Sequence, residues 1–217
     1  MRKNFLAVGE IYHVLNKSIA GFQIFNDEDE YQRMAGLFAY YQKENPPVKF
    51  SKYLNSNKKG SEGENTGNKL VEIIAYCLMP THLHLLLRQM KEEGISLFMG
   101  NVLNSYTRYF NTRHKRKGPL WEGRFKRIQV KTEENLLHLT RYIHLNPVTA
   151  YLVNKPEDWL FSSYREYLGQ VDGKEKICNF EDSLEIGPDY KEFVEDRISY
   201  QRELAQIKDL IVENLST

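Results

Sequence analysis

His82 and His84 stand one residue apart in Met79-Pro80-Thr81-His82-Leu83-His84-Leu85-Leu86-Leu87, an otherwise apolar run. Alternate side chains of a strand share a face, so the spacing predicts that the two imidazoles project together while Thr81, Leu83 and Leu85 project the other way. Neutral imidazoles so placed can ligate one divalent ion. Two donors leave a coordination shell incomplete, and a reaction needs a nucleophile as well. The segment from Thr132 to Pro147 offers both. Thr132 suits a helix N-cap, Glu133 and Glu134 suit the positive end of a helix, and Pro147 predicts its end. Leu136, Leu139 and Ile143 keep the spacing of a buried face, and His138, Tyr142 and Asn146 recur every fourth residue on an adjacent stripe. A phenol with a carboxamide one turn later fits a nucleophile beside a metal ligand. The structural alternatives are a hydrogen-bonded histidine pair and a packing tyrosine, and the pattern alone leaves them open.

Stepping outward to the elements that must hold these groups, Glu10 to Asn16 alternates as a strand. Asp27 to Glu44 reads as a helix with Tyr31, Met34, Leu37, Phe38 and Tyr41 inward. Lys69 to Leu78 and His82 to Arg88 read as strands joined at Met79-Pro80. A helix is predicted from Gly94 to about Arg113, and Arg124 to Lys131 is a fourth strand. The order strand, helix, strand, strand, helix, strand is the ferredoxin-like split β-α-β pattern, an α+β fold with an antiparallel sheet and helices on one face. Ser51 to Asn68 is polar and glycine-rich and reads as a loop insertion or hairpin within one domain of residues 1–170. Residues 171–217 read as a helical extension, placed as an appendage on the core or a dimer contact, so monomer and dimer both stand.

The chain of 217 residues is 41% hydrophobic, enough for one substantial core plus an appendage. Its two cysteines, Cys77 and Cys178, fit a reducing compartment and give no disulfide framework. No apolar run approaches the roughly 20 residues that span a bilayer, and a cytoplasmic location is expected. A net charge of +1 conceals segregation: Asn101 to Lys131 holds nine basic residues and one acid, Glu122, whereas Asp172 to Thr217 holds twelve acids and six basic residues. Arg108, Arg113, Lys115, Arg116, Lys117, Arg124, Lys126 and Arg127 lie among Tyr106, Tyr109, Phe110, Trp121 and Phe125. Backbone neutralisation with stacking surfaces suits single-stranded DNA.

Six blocks in order then give a resemblance. Ile11-Tyr12-His13-Val14 and Leu78 to Leu87 are followed by Ser105-Tyr106-Thr107-Arg108-Tyr109-Phe110-Asn111 and Gly118-Pro119-Leu120-Trp121-Glu122-Gly123-Arg124-Phe125-Lys126. Arg141-Tyr142-Ile143-His144-Leu145-Asn146-Pro147 and Trp159-Leu160-Phe161-Ser162-Ser163-Tyr164 complete the series. From about Glu10 to Tyr167 the chain resembles the single-tyrosine HUH transposases, specifically the REP-associated tyrosine transposase branch (IS200-like). The resemblance implies an HUH palm with metal ligands His82 and His84, joined by a donor at Asn146, and a nucleophile at Tyr142. It implies Mg²⁺ or Mn²⁺, a single-stranded, hairpin-forming DNA partner, and cleavage and rejoining through a 5′-phosphotyrosine. Two features depart from the family pattern. Thr81 stands where Asn or Asp is usual, and the first loop is Asn16-Lys17-Ser18-Ile19-Ala20-Gly21 in place of an Arg- and Gly-rich one.

Rival assignments sort by residue pattern. Tyr106 sits on the apolar stripe with Val102, Leu103 and Phe110 and reads as core, while Tyr109 can face DNA. His144 lies off the Tyr142 stripe and reads as structural; His138 is either a neighbour of the site or packing. A two-histidine phosphoesterase needs two His-X-Thr or His-X-Ser motifs, and this chain has one, His138-Leu139-Thr140. A domesticated protein that binds a DNA hairpin without cutting it is the alternative function.

Overall fold

The computed structural model describes residues 6–57, 67–173 and 175–214. Strands β1 (Ile11–Lys17), β2 (Val71–Met79), β3 (His82–Gln89) and β4 (Lys126–Val130) form one sheet in the order β2-β3-β1-β4, antiparallel at every pairing. The helices are α1 (Glu28–Tyr41), α2 (Phe50–Asn57), α3 (Gly94–Arg113), α4 (Glu133–Thr149), α5 (Tyr164–Tyr167), α6 (Tyr190–Glu195) and α7 (Ile198–Asn214). The expected antiparallel α+β order is present, with α2 added to it. That helix corrects the first part of the predicted loop, and residues 58–66 of the stretch lie outside the described residues.

Local chemistry places the helices. The Asp27 side chain accepts from the Glu30 N–H and caps α1, and Thr132 accepts from the Asn135 N–H and caps α4. α3 begins where a Cβ on Gly94 would stand 2.1 Å from the Leu70 carbonyl oxygen, so only glycine lets the helix start this close to the sheet. Phe38 of α1 meets Tyr76 of β2 and Phe98 of α3, with ring centroids 5.8 and 6.2 Å away. The expectation of helices on one face is thus met by α1 and α3.

α4 extends that picture, because it covers the opposite face. All nine residues of β2 are buried, and α4 packs against this strand. The apolar run from Ile73 to Met79 carries the signal, since a strand covered on both faces loses the alternation of a half-wet one. β2 is also an edge strand, and the chain after α4 closes that edge. The Leu78 N–H donates to the Phe161 carbonyl (2.9 Å), the Ser163 N–H to Tyr76 (3.0 Å) and the Asn179 N–H to Ile73 (2.8 Å).

Pro147 does not end α4, which runs on to Thr149. A proline near the end of a helix removes only the hydrogen bond to the carbonyl four residues earlier, here Ile143. The Asn146 amide nitrogen donates to the Tyr142 carbonyl (2.8 Å) and lies 3.5 Å from the Ile143 carbonyl, so it partly covers that loss.

The C-terminal extension holds α4 from outside. Tyr190 and Val194 of α6 are buried, and both α6 and α7 pack on α4. At the junction the Tyr190 hydroxyl donates to Thr140 Oγ1 (2.9 Å), so His144 Nδ1 donates to Tyr190 (2.8 Å) and Nε2 accepts from Ser163 Oγ (2.8 Å). Burial pushes the His144 pKa down to about 3. The unfolded chain, titrating near 6.5, therefore binds one proton more than the folded chain at pH values between about 3 and 6.5. Stability should fall as pH drops through this window, by up to about 1.4 kcal/mol per pH unit from this group. His144→Asn should be less stable at pH 7 by about 1–3 kcal/mol through lost buried hydrogen bonds. Its urea-unfolding free energy should also decline less between pH 6.5 and 4.5, by about one proton's worth of slope. An unchanged slope would remove His144 as the acid-sensitive group.

Candidate functional site

The two-residue turn Pro80-Thr81 sets where β3 begins, and the first loop holds that turn. The Ser18 N–H donates to the Thr81 carbonyl and the Ile24 N–H to the Pro80 carbonyl, both at 2.9 Å. From there His82 and His84 project from the face that α4 covers, their ring centroids 5.1 Å apart. Register brings β1 alongside: Leu15 pairs with His84, Lys17 with His82 and His13 with Leu86, so Lys17 and His13 share this face.

Each histidine of the pair is anchored through Nδ1. His82 Nδ1 is 3.1 Å from Thr81 Oγ1, and His84 Nδ1 is 3.0 Å from His13 Nε2. Neither Nε2 meets a protein partner among the described residues. Burial, helped by the charge of Lys17, pushes the His82 pKa down to about 4. Burial pushes His84 well below its ordinary value, with the charges of His82, His13 and Lys17 acting in the same direction, and burial lowers His13 as well. Neutral imidazoles with a free Nε2 are the form that binds a metal.

α4 brings Tyr142 to this pair. Its ring stands edge-on to His84 at 5.7 Å and to His13 at 6.3 Å, and the residue is 39% exposed, so the nucleophile candidate is open to a ligand. Burial raises the phenol above its ordinary value, opposed in part by hydrogen bonding with Asn146. The Asn146 amide nitrogen is used within its own helix, which leaves the amide oxygen as the donor available to a cation. Two neutral imidazoles and a carboxamide oxygen are all donors that a divalent cation accepts.

Other candidates fall elsewhere. The His138 ring lies 2.8 Å from the Arg141 guanidinium and 5.9 Å from Phe193, on the side of the C-terminal extension, which favours packing over a place in the site. His144 is structural, as expected. Tyr106 is fully buried with its hydroxyl donating to the Ile24 carbonyl, and Tyr109 accepts from Arg113 under the guanidinium of Arg33.

The basic candidates divide. Arg113 pairs with Asp27 and Asp29 and approaches buried Glu30, and Arg116 donates to Asn111 Oδ1 and the Pro119 carbonyl. Both arginines thus have partners within the protein, Arg113 with acids at the start of α1 and Arg116 with polar groups near it in the chain. Arg108, Lys115 and Lys117 are exposed. Arg124 and Lys126 line a cleft of about 220 Å³ with Leu15, Asn16 and Lys17, next to the His82 face. Arg124 and Arg127 also line a wider groove of about 610 Å³ with Trp121 and Phe125. Lys17 and His13 are the site residues that motif reading missed or left without a role. Their signal was alternation in β1, but their partners depend on register.

The profile of the family described as IS200-like transposases matches residues 50–146, a span that includes His82, His84, Tyr142 and Asn146. Over that span the chain is similar to the IS200-like transposases. A curated Haemophilus influenzae protein named as a REP-associated tyrosine transposase is 25% identical over 103 residues, 43% of this chain and 58% of that protein. The matched region therefore spans somewhat more than half of the relative's length. The solved structure of a REP-associated tyrosine transposase bound to a REP hairpin is similar with a TM-score of 0.52 and 16% identity, over 86% of this chain and 98% of that one. This likeness shows a shared fold over a larger part of the chain than the profile matches.

Proposed function

We propose that this IS200-like chain cleaves and rejoins single-stranded DNA through a 5′-phosphotyrosine on Tyr142. The observation that carries the proposal is the edge-on approach of Tyr142 to His84, 5.7 Å between ring centroids, beside two neutral histidines with free Nε2 atoms. Mg²⁺ or Mn²⁺ held by His82, His84 and Asn146 would draw charge from the scissile phosphate, orient it for in-line attack and favour the phenolate. Tyr142 Oη loses its proton and attacks phosphorus. The Oη–P bond forms as the bond from phosphorus to the 3′-oxygen breaks, and the departing 3′-oxygen takes a proton to become a hydroxyl. A second 3′-hydroxyl reverses the step and joins the strands, so no nucleotide cofactor is consumed.

The substrate follows from charge and from the relative. Lys17, Arg124 and Lys126 surround the cleft beside His82, where they would neutralise backbone phosphates, and Trp121 and Phe125 border a groove in which bases could stack. The similar solved structure holds a REP hairpin, which makes a folded single strand the substrate of choice. No helix among the described residues is long and apolar enough to cross a membrane.

The test is to incubate the full chain with Mn²⁺ and labelled, hairpin-forming single-stranded DNA from its own genomic flanks. A denaturant-resistant protein-DNA band that is absent with EDTA is expected. Tight hairpin binding without that band on any such substrate would replace cleavage with the alternative of a DNA-hairpin-binding protein.

A further inference from the structure

We propose that His13 is a positioning residue for His84, fixing the tautomer and orientation of this imidazole and tying it to the ring of Tyr142. The proposal rests on the assignment of His82 and His84 as metal ligands. His13 comes from β1 and His84 from β3, and the register sets them diagonally across the two strands on one face. Their rings meet edge to edge with centroids 5.3 Å apart and planes 13° from parallel, and His13 Nε2 lies 3.0 Å from His84 Nδ1.

A neutral imidazole has one N–H, and the nitrogen that carries it cannot bind a metal. With the proton on His84 Nδ1, donated to His13 Nε2, the lone pair of His84 Nε2 is presented to the ion. With the proton on Nε2, His84 is no ligand. An acceptor at His13 Nε2 selects the first tautomer and holds the ring at a set angle. The His13 proton then resides on its own Nδ1. His82 has a different anchor, the Thr81 hydroxyl 3.1 Å from its Nδ1, at a position where the family usually carries Asn or Asp.

His13 is not itself a fourth ligand in this arrangement. Its Nε2 is spent on His84, and no three His, Cys, Asp or Glu side chains among the described residues are grouped to hold one ion. The same ring stands 6.3 Å from Tyr142 at 79°, while His84 stands 5.7 Å from Tyr142 at 87°. One side chain of β1 therefore braces a ligand on β3 and a nucleophile on α4.

The test measures Mn²⁺ affinity of the full chain without DNA, by the paramagnetic signal of free Mn²⁺, alongside ¹⁵N NMR of the histidine rings in the metal-free protein. His13→Ala should weaken Mn²⁺ binding about 10–100-fold, the scale for losing a hydrogen-bond partner of a ligand. The His84 ring should change from the Nδ1–H tautomer to a mixture. His13→Gln, whose amide oxygen can accept the same bond, should restore most of both. If His13→Ala does not fold, His13→Leu fills the space without an acceptor and serves in its place. Undiminished Mn²⁺ affinity and an unchanged His84 tautomer in the acceptor-free variant, with binding lost in His84→Ala, overturn the role of His13 while leaving the metal site standing. Wild-type protein that binds no Mn²⁺ overturns the metal site and the role of His13 with it.

Discussion

Tyr142→Phe is expected to fold and to bind hairpin DNA like the wild type while forming no covalent adduct. The substitution removes one oxygen from a ring that is 39% exposed, and the edge-on contacts to His84 and His13 are made by the ring. Stability should therefore shift by no more than about 0.5 kcal/mol, the usual range for a surface change. Strand cleavage should fall by roughly 10⁴-fold or more, because deleting a covalent nucleophile removes the reaction's first bond. Tyr106→Phe and Tyr109→Phe provide the controls. Tyr106 is sealed in the core by its bond to Ile24, and Tyr109 faces Arg33 and Arg113, so neither is presented to the histidine pair. Both variants should keep the adduct. An adduct that survives in Tyr142→Phe and disappears in either control would move the nucleophile to that residue.

His84→Ala should weaken Mn²⁺ binding by more than about 100-fold, since a lost ligand costs at least as much as a lost partner of a ligand. Adduct formation should fall with it, and excess Mn²⁺ should restore only a small fraction. The variant also removes the partner of His13 and leaves space in a buried layer, so its melting temperature must be read beside its activity. His82→Ala separates the two effects. His82 is only half-buried and is anchored by its neighbour Thr81, so its loss should disturb the fold less while weakening Mn²⁺ binding similarly. Adduct formation by either variant at the wild-type rate, in EDTA, would exclude the histidine pair from the chemistry.

Residues close in sequence made their own geometry legible. The two-residue turn and the alternation of β3 require His82 and His84 to share a face, whatever the rest of the chain does. The Thr132 cap and the four-residue spacing of Tyr142 and Asn146 act within a single helix, as do the apolar positions of α3. The family blocks added the roles of these residues, which spacing alone left open between chemistry and packing. Pro147 misled because a rule for helix interiors was applied in the last turn, where only one carbonyl loses its partner and Asn146 lies against it. Charge counting could not foresee the ion pairs of Arg113, because Asp27, Asp29 and Glu30 lie more than eighty residues away and meet it only in space.

What joins the pieces is long-range and had to come from the fold. α4 lies on the histidine face because β2 is buried on both sides, because α1 and α3 already occupy the other face, and because the C-terminal extension clasps α4 through Tyr190 and His144. The meeting of His13 with His84 depends on pairing Leu15 with His84; a slip of one residue would turn His13 to the opposite face. The sequence by itself determined which groups could ligate and attack, since that chemistry resides in side chains and their local spacing. Tertiary structure alone decided which of them meet, because strand register and helix placement are set by burial summed over the whole core.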